Sequence, residues 1–497
     1  MRVIKINQYD NVAVALEDIC SGESVLVSDE IIDIVDNVPA GNKIALDDIL
    51  EGERVIKYGN SIGIAKCNIK SGEMVHCHNL TTGLTGNENC YFGLEAYYAD
   101  KQDENTHCIE FSGYKRSNDD IGIRNELWII PTVGCVNDIG RIIAEYANKK
   151  RPKNVDGVFC LEHPYGCSQI GEDQENTYKI IRSLCEHGNA GGILVLGLGC
   201  ENLNLEFLKI QEKTEKNKIV RVLNCQAIED EMKIGKDIVI KMMENMSKHE
   251  KTMLPVSSLK VGVKCGGSDA LSGITANPLI GRVSEILDRH GASTLMTEVP
   301  EMFGAEHLLA RHCCNRETLQ KYEIMINKFK NYYINQGFPI SENPSPGNKA
   351  GGISTLEEKA LGCVQKCGKG IIKDVLCYGE RIKKQGLNIV EGPGNDLVAV
   401  TALVAAGAHI ILFSTGRGTP VGSIVPTIKI STNSNLFERK RHWVDFNSGV
   451  LIESESMENA AEKLLDLIQK VASGEIHTKN EDNGMRSFSI FKTGVTL

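Results

Sequence analysis

Cysteines in glycine-rich loops are the first residues of this sequence whose type and position could do chemistry. Four of them come directly after apolar runs, namely Cys135, Cys167, Cys200 and Cys265, and Cys225 ends a further run. No two cysteines have the Cys-x-x-Cys spacing of a zinc ribbon. Thiols that are distant in sequence can still meet at one sheet edge. There they could bind iron or an iron–sulfur cluster, or line a pocket.

Two histidines close the N-terminal part of the chain in the segment His76-Cys77-His78-Asn79. If this segment continues a strand, His76 and His78 point to the same face, which suits two imidazole ligands on one divalent ion. A hydrogen-bonded surface pair is the alternative. A reserve metal site is formed by carboxylates and histidines near a helix start, namely Glu298, Glu301, Glu306, His307 and His312. Such carboxylates also simply stabilise a helix dipole.

Two basic residues in glycine-rich loops could bind an acidic substrate. Arg417 lies in the loop 414–419, where glycines can turn backbone N–H groups inward and a guanidinium can pair with a carboxylate. Lys349 precedes a capping-box sequence at 354–357, and it could bind an acid group or, with a lowered pKa, act as a base. A solvated side chain is the alternative for both. The Gly-Leu-Gly at 197–199 lacks the third glycine of a dinucleotide fingerprint, so we predict no dinucleotide site.

The elements that must position these residues fall into two classes. Short strand-like runs separated by Gly-Glu turns predict a small β domain over residues 1–83, with segments at 12–16, 24–27, 43–45, 54–58, 62–65 and 74–78. Residues 84–119 are polar and irregular and indicate a linker. Beyond it, continuous apolar runs alternate with helical segments, which predicts parallel α/β units over 120–250 and 255–497. Loops after parallel strands meet at one sheet edge, where ligands bind.

Composition limits the classes of function. The chain has 497 residues and a formal net charge of −10, which argues against a nucleic-acid-binding or anionic-membrane protein. Its start lacks the pattern of a signal peptide, and its apolar runs are shorter than a membrane span. We therefore expect a cytoplasmic, reducing environment in which most of the 17 cysteines are small buried apolar residues. Cys363 and Cys367, spaced along a helix, are expected to be structural.

Several long motifs together resemble the altronate/galactarate dehydratase family over essentially the whole chain. These motifs are IGIRNELW, PTVGCVN, HPYGCSQ, GLGCEN, CGGSDALSGITANP, TEVPEMFGAE, NPSPGNKAGG, EGPGND, FSTGRGTP and FKTGVTL. The resemblance implies that the first domain is SAF-like, of the β-clip type, and that it ends in the HCHN motif. It also implies a hydro-lyase of hexuronate catabolism that removes water from a sugar acid, with D-altronate converted to 2-dehydro-3-deoxy-D-gluconate.

The resemblance further implies a divalent metal, Fe²⁺ or alternatively Mn²⁺, and a set of site residues. We expect His76 and His78 to bind the metal, with Cys135, Cys167 and Cys265 as nearby or alternative ligands. Arg417 and Lys349 would hold the substrate carboxylate, and Lys349 or His163 would be the base. The residues expected to contact the rest of the substrate are Ser268, Asp269 and Gly416. A metal or cationic group is needed because the proton beside a carboxylate is weakly acidic.

Other interpretations stay open on the sequence alone. The cysteines could hold an iron–sulfur cluster, which is the less favoured cofactor. The substrate could be galactarate or another hydroxy acid, or the chain could bind a sugar acid without turnover. We expect a small-molecule partner, no nucleic acid and no membrane, and a homo-oligomer because soluble enzymes commonly form one.

Overall fold

A computed structural model describes residues 2–84, 109–116, 120–215 and 217–494. Most of the predicted linker lies outside these residues. The first domain consists of short strands in antiparallel sheets: β1 (Val3–Ile4), β2 (Val12–Ala15), β3 (Ser24–Val27), β4 (Glu30–Asp33), β5 (Lys43–Ala45), β6 (Arg54–Lys57), β7 (Asn60–Ala65), β8 (Met74–Val75) and β9 (Leu80–Thr81). The sheets have the orders β1-β2-β5-β8, β3-β4 and β6-β7-β9. The predicted small β domain is confirmed.

The recurring Gly-Glu turns of this domain have one backbone geometry. Gly22, Gly52 and Gly72 have φ values of 86°, 85° and 85°, a left-handed conformation that a Cβ atom disfavours. Each turn follows a buried isoleucine that forms an isolated bridge, Ile19 with Val38 and Ile49 with Ile69. The sequence similarity between these segments therefore reflects a repeated turn.

The middle region has one small antiparallel sheet and one parallel sheet. Its elements are β10 (Glu110–Lys115), β11 (Ile121–Gly122), β12 (Glu126–Pro131), α1 (Asn137–Asn148), β13 (Gly157–Cys160), α2 (Glu172–Cys185), β14 (Ala190–Gly197), α3 (Leu205–Leu208), β15 (Lys213–Glu215), β16 (Lys218–Asn224), α4 (Glu231–Met246) and β17 (Thr252–Pro255). The parallel sheet has the order β13-β12-β14-β16, with β15 antiparallel at its edge. β10 lies in the segment expected to be irregular. It forms a strand because Phe111 and Tyr114 are buried and β17 pairs with it.

The C-terminal region is built on a seven-stranded parallel sheet. Its elements are β18 (Lys260–Cys265), α5 (Ala276–Arg289), β19 (Ser293–Met296), α6 (Glu306–Ala310), α7 (Arg316–Asn335), α8 (Pro346–Ala350), α9 (Leu356–Cys363), β20 (Ile372–Leu376), β21 (Leu387–Val390), α10 (Asp396–Ala405), β22 (Ile410–Thr415), β23 (Thr427–Ser431), α11 (Ser434–Arg439), β24 (Phe446–Asn447), α12 (Met457–Ser473) and α13 (Lys479–Asp482). The strand order is β20-β21-β19-β18-β22-β23-β24.

The predicted fold class, a small β domain followed by parallel α/β units, is confirmed by these sheets. Strands β18, β19, β21 and β22 are almost completely buried, as expected for a parallel sheet with helices on both faces. Among the described residues, no helix is long and apolar enough to cross a membrane.

A buried ion-pair triad joins the first domain to the C-terminal region. Glu358 of α9 accepts from Lys43 Nζ at 2.9 Å and from Lys57 Nζ at 2.8 Å, and all three side chains are almost fully buried. Burial alone would raise the pKa of Glu358, but the two ammonium groups lower it to about 2. The carboxylate is therefore charged at neutral pH and compensates two lysines that have little contact with water.

Replacing Glu358 with glutamine should destabilise the protein. The variant Glu358→Gln leaves two buried ammonium groups without a counter-charge, so we expect a loss of roughly 3–5 kcal/mol in unfolding free energy at neutral pH. The exposed control Glu462→Gln should change it by less than about 0.5 kcal/mol. The depressed pKa also predicts that this stabilisation is complete above pH ~4.5 and is lost as the pH falls toward 2. Denaturant unfolding checks both; equal stability of the two variants would contradict the triad's role.

Candidate functional site

An open cleft lies at the carboxyl edge of the seven-stranded sheet, where the strand order reverses. β18 lies in the middle, with β19 on one side and β22 on the other. Ligands of open α/β sheets bind at such switch points. The cleft has a volume of about 520 Å³. Its lining comes from the loops after β18, β21 and β22 and from the segment 343–348, and includes Cys265, Asp396, Arg417, Asn348 and Lys359.

Beneath the cleft lies a buried set of sulfur, carboxylate and ammonium groups, which we call the Glu298 group: Lys264, Cys265, Glu298, Glu301, Cys363 and Lys366. Lys366 Nζ contacts Glu298 Oε2 at 2.9 Å and the Sγ atoms of Cys265 and Cys363 at 3.0 Å each. Lys264 pairs with the other oxygen of Glu298 and, at 3.1 Å, with Asp396. Six side chains from β18, from the segment after β19 and from the α9 region thus form one connected network.

The backbone at Glu298 adopts a conformation that is unusual for its residue type. Its φ and ψ are 75° and 50°, in the left-handed region, which costs a non-glycine residue of order 1–3 kcal/mol. Burial raises the pKa of this carboxyl, but Lys264 and Lys366 lower it to about 2. Burial lowers the pKa values of both lysines, but the Glu298 carboxylate raises that of Lys264, and the sulfurs of Cys265 and Cys363 followed by Glu298 raise that of Lys366, so both pKa values are raised. The ion pairs therefore hold Glu298 charged in a strained position under the cleft.

The two thiols of the group differ in their affinity for a proton. Their sulfurs are 3.9 Å apart, and the hydrogen bond between them, followed by the charge of Lys366, lowers the pKa of Cys265. The pKa of Cys363 is raised by the same hydrogen bond and by burial. Cys265 is thus the sulfur that more readily carries negative charge, and it is the one that also lines the cleft.

The Glu298 group could hold a metal ion. One ligand atom from each of Cys265, Glu298, Glu301 and Cys363 lies within 4.8 Å of the others. Two sulfurs and two carboxylate oxygens suit a tetrahedral ion such as zinc or ferrous iron. Lys366 contacts three of these residues, so its ammonium and a metal ion compete for the same donors. Of the predicted metal ligands, the group contains only Cys265, together with Glu298 and Glu301 of the reserve site.

The glycines of the Arg417 loop suggested that its backbone N–H groups would be free to bind an anion, and the structure shows that two of them are not. The N–H groups of Gly416 and Arg417 both donate to Gly267 O, at 3.1 and 2.9 Å, so they are already bonded to the chain. The Arg417 side chain is exposed at the cleft, and among the described residues no hydrogen bond or ion pair engages it. The guanidinium, and not the backbone, is therefore the group of this loop that can bind an anion.

Asp269 lies behind this loop and organises it. Its carboxylate accepts from Ser272 Oγ at 3.1 Å, from Thr432 Oγ1 at 2.9 Å and from Asn433 Nδ2 at 3.2 Å. A Cβ atom on Gly416 would lie 2.1 Å from the Asp269 carboxyl carbon, so this glycine permits the close approach. Ser268 is buried beside it, and its carbonyl accepts from Asn348 Nδ2. The structure brings these three predicted substrate contacts together behind the Arg417 loop, and none of them is among the residues that line the cleft.

His76 and His78 lie in a turn, and the expected strand ends at Val75. The strand ends because the Asn79 side chain accepts from His76 N and the backbone then turns back toward His76 O. His76 is half-buried, with Nδ1 2.8 Å from Ser354 Oγ, and also bonds the backbone of Lys349. His78 and Lys349 are exposed. His76 therefore contacts the 346–354 segment, whereas His78 is exposed, and strand alternation does not set their orientation.

His163 lies in the middle region and not in the cleft. Its Nε2 is 2.8 Å from Pro131 O, and its Nδ1 accepts from Tyr165 N at 3.2 Å, so both ring nitrogens are engaged. Burial lowers its pKa to about 4. Cys135 and Cys167 are exposed at the edge of the other parallel sheet. The structure thus places the predicted site residues in separate locations, with Cys265 and Arg417 at the C-terminal cleft and Asp269 behind the Arg417 loop.

Several residues of the Glu298 group were not found by reasoning from the sequence. Lys264 directly precedes Cys265, and Lys366 follows Cys363 by three residues on a helical segment, which places them on one face. This spacing was a usable signal that Cys363 belongs with a cation. Nothing in the sequence indicates that Lys264 and Lys366 share one carboxylate, because that contact joins segments distant along the chain.

Comparison with known proteins agrees with this architecture. The profile of the D-galactarate/altronate dehydratase C-terminal domain matches residues 256–496, that of the second domain of D-galactarate dehydratase/altronate hydrolase matches 113–247, and that of the altronate/galactarate dehydratase SAF domain matches 1–83. The chain is 47% identical to an altronate dehydratase of Escherichia coli over 100% of both chains. The chain belongs to the altronate/galactarate dehydratase family.

Two further relatives show the range of this family. An altronate dehydratase of Bacillus subtilis is 46% identical over 99% of both chains. A galactarate dehydratase (L-threo-forming) of Escherichia coli is 33% identical over 97% of this chain and 95% of its own length. Membership of the altronate/galactarate dehydratase family is therefore supported along all three matched regions, including the loops that line the cleft.

A double-mutant cycle tests whether the Glu298 group acts as one electrostatic unit. Glu298→Gln and Lys366→Met should each lower the unfolding free energy by roughly 3–5 kcal/mol, since each leaves a buried charge uncompensated. The double variant should lose less than the sum by about 1–3 kcal/mol, because it removes both charges. Denaturant unfolding measures all four proteins, with the exposed Glu229→Gln as control. Additive losses would show that the two groups do not depend on each other.

Proposed function

We propose that this protein removes water from D-altronate to give 2-dehydro-3-deoxy-D-gluconate. The observation that carries the proposal is the identity of 47% and 46% to two altronate dehydratases over the full chain, against 33% to a galactarate dehydratase. The cleft supports it, because a volume of about 520 Å³ lined by polar side chains accommodates a six-carbon acid.

In this proposal Arg417 binds the carboxylate of the sugar acid. Its guanidinium is exposed at the cleft, and a planar fork of N–H donors matches a carboxylate. Asn348 and Lys359 line the same cleft on the opposite loop and can face the hydroxyl groups. Lys359 Nζ is held 2.9 Å from Glu301 Oε1, which fixes its position and keeps it charged.

The proton transfers follow from the reaction itself. A base takes the proton from C2, and the C3–O bond breaks as an acid group gives the departing hydroxyl a proton to form water. The resulting enol then loses its O–H proton and gains a proton at C3 to become the 2-keto acid. Lys349 is our candidate for the base or for a second carboxylate clamp, because it is exposed beside Asn348 of the cleft. His163 is the weaker candidate, since its two ring nitrogens are engaged away from the cleft.

A divalent ion, Fe²⁺ or Mn²⁺, would neutralise the negative charge that grows on the substrate carboxylate as the C2 proton leaves. Cys265, Cys363, Glu298 and Glu301 are the residues that would hold it at the floor of the cleft. His76 and His78, at the junction with the first domain, stay an alternative pair of ligands. With either set of ligands, Arg417 would hold the carboxylate of the sugar acid, and the protein would keep water away from the buried Glu298 group.

Substrate and metal dependence are tested together with protein purified without oxygen and supplied with Fe²⁺. We expect formation of a 2-keto-3-deoxy acid from altronate and not from galactarate, glucarate or mannonate, and we expect a chelator to abolish it. Mn²⁺ in place of Fe²⁺ tests the alternative ion. Turnover of galactarate alone would reassign the substrate within the family. Tight altronate binding with no turnover would instead show a sugar-acid-binding protein.

The variant Arg417→Ala tests the carboxylate clamp. Loss of a hydrogen-bonded charge pair is worth about 1.5–3 kcal/mol, so the KM for altronate should rise roughly 10- to 100-fold. Arg441→Ala is the matched control, because Arg441 is exposed on the surface and pairs with Glu438 three residues away. Its KM should be unchanged. An unchanged KM in Arg417→Ala would remove Arg417 from the site.

A further inference from the structure

Three exposed cysteines lie at the carboxyl edge of the middle parallel sheet, and we call them the thiol edge: Cys135, Cys167 and Cys200. They follow β12, β13 and β14, which are neighbours in the order β13-β12-β14. Because these strands are parallel, their carboxyl ends lie at one edge, and the order reverses at β12. The thiol edge therefore occupies the position in this sheet that the cleft occupies in the other.

Free cysteines are among the most buried residues of proteins, but the expectation that most cysteines are buried is wrong here, since seven of the 15 described cysteines are exposed, these three among them. Two other cysteines at strand ends of the same sheet behave in the ordinary way. Cys160 bonds Asn137 O and Cys225 is buried, and burial raises their pKa values to about 12 and 11. The contrast shows that the sheet does not simply expose its cysteines. It exposes only the three that follow adjacent strands.

A glycine precedes each thiol-edge cysteine, and each glycine permits close packing of the loops. A Cβ atom on Gly134 would lie 2.9 Å from His163 O, one on Gly166 would lie 1.9 Å from Thr132 O, and one on Gly199 would lie 2.8 Å from Gln226 Oε1. The same dipeptide, Gly-Cys, thus occurs in all three loops for a shared steric reason.

Hydrogen bonds connect the three loops directly. Gly134 N donates to Tyr165 O at 2.9 Å, which joins the loops of Cys135 and Cys167. Ser168 N donates to Asn202 Oδ1 at 3.0 Å, which joins the loops of Cys167 and Cys200. Thr132 Oγ1 donates to Glu201 Oε1 at 2.6 Å, which joins the loops of Cys135 and Cys200. The fixed arrangement of the thiols does not depend on a disulfide, because all three are free.

The three sulfurs of the thiol edge are not among the compact ligand sets of the described residues that could hold a single ion. A single ion with metal–sulfur bonds of about 2.3 Å brings its sulfurs within about 4 Å of one another. Among the described residues, the Glu298 group has its ligand atoms within 4.8 Å, and the thiol edge does not form such a compact set. In an iron–sulfur cluster each thiolate binds a different iron, so the sulfurs lie farther apart.

We propose that Cys135, Cys167 and Cys200 bind an iron–sulfur cluster of the four-iron type, with one iron that lacks a cysteine ligand. Such an iron has a free position for an oxygen of a hydroxyl or carboxylate group. Two ion pairs join this part of the middle region to the C-terminal sheet. Lys328 joins Glu172, at the start of the helix after Cys167, to Glu391, which follows β21, at 3.0 and 2.7 Å.

The test is anaerobic reconstitution of the full chain with Fe²⁺ and sulfide. We expect broad visible absorbance and about four iron and four sulfide ions per chain. Cys135→Ser, Cys167→Ser and Cys200→Ser should each lose most of the absorbance and bound sulfide. The matched control is Cys377→Ser, an exposed cysteine directly after β20 of the other sheet, which should keep both.

Labelling of the wild-type protein gives a second readout that requires no variant. Iodoacetamide should alkylate Cys135, Cys167 and Cys200 before reconstitution and fail to alkylate them afterwards, whereas Cys377 should react in both. Iron bound without sulfide, unchanged absorbance in all three variants, or unchanged labelling would overturn the proposal. These readouts do not depend on turnover, so they separate this inference from the proposed altronate activity.

Discussion

The carboxylate of Glu298, held between Lys264 and Lys366, is the interaction on which the C-terminal site depends. The residue has a left-handed backbone that would be unfavourable without compensation. Two buried ammonium groups supply that compensation, and each would be costly to bury without the carboxylate. Because Lys264 belongs to β18 and Lys366 follows α9, the ion pairs fix the ends of the elements that form the floor of the cleft.

Helix α9 connects the candidate site to the first domain through buried ion pairs and hydrogen bonds. All eight of its residues are buried. On the side of the first domain, Glu357 accepts from Thr82 and Gly83, and Glu358 accepts from Lys43 and Lys57. On the other side, Lys359 lines the cleft and Cys363 belongs to the Glu298 group. One short helix thus binds the β domain with one set of side chains and builds the candidate site with another. This arrangement gives a physical reason for a β domain on an enzyme whose cleft lies in another region.

Periodicity predicted the framework of this protein better than it predicted the site. The runs at β12, β18 and β22 are continuously apolar, and such runs indicate buried parallel strands. The apolar pattern predicts that the strand continues through His76 and His78. The structure ends β8 before His76, because the Asn79 side chain accepts a hydrogen bond from His76 N. Motifs identified Cys265 and Arg417 as candidates.

The partners of these candidates, such as Lys366, depend on contacts between distant segments that no local pattern records. Family resemblance indicated which loops form sites but not which side chains meet within them. Glu298 and Glu301 were considered only as a reserve metal site, and the fold placed them with Cys265.

The most direct test of this account is a crystal structure of the full chain, grown without oxygen and without added metal, with altronate bound. The account predicts the sugar acid in the C-terminal cleft, with its carboxylate on the Arg417 guanidinium and its C2 and C3 atoms above Cys265. An altronate molecule bound elsewhere, with the Arg417 cleft empty, would contradict the assignment of the cleft as the catalytic site.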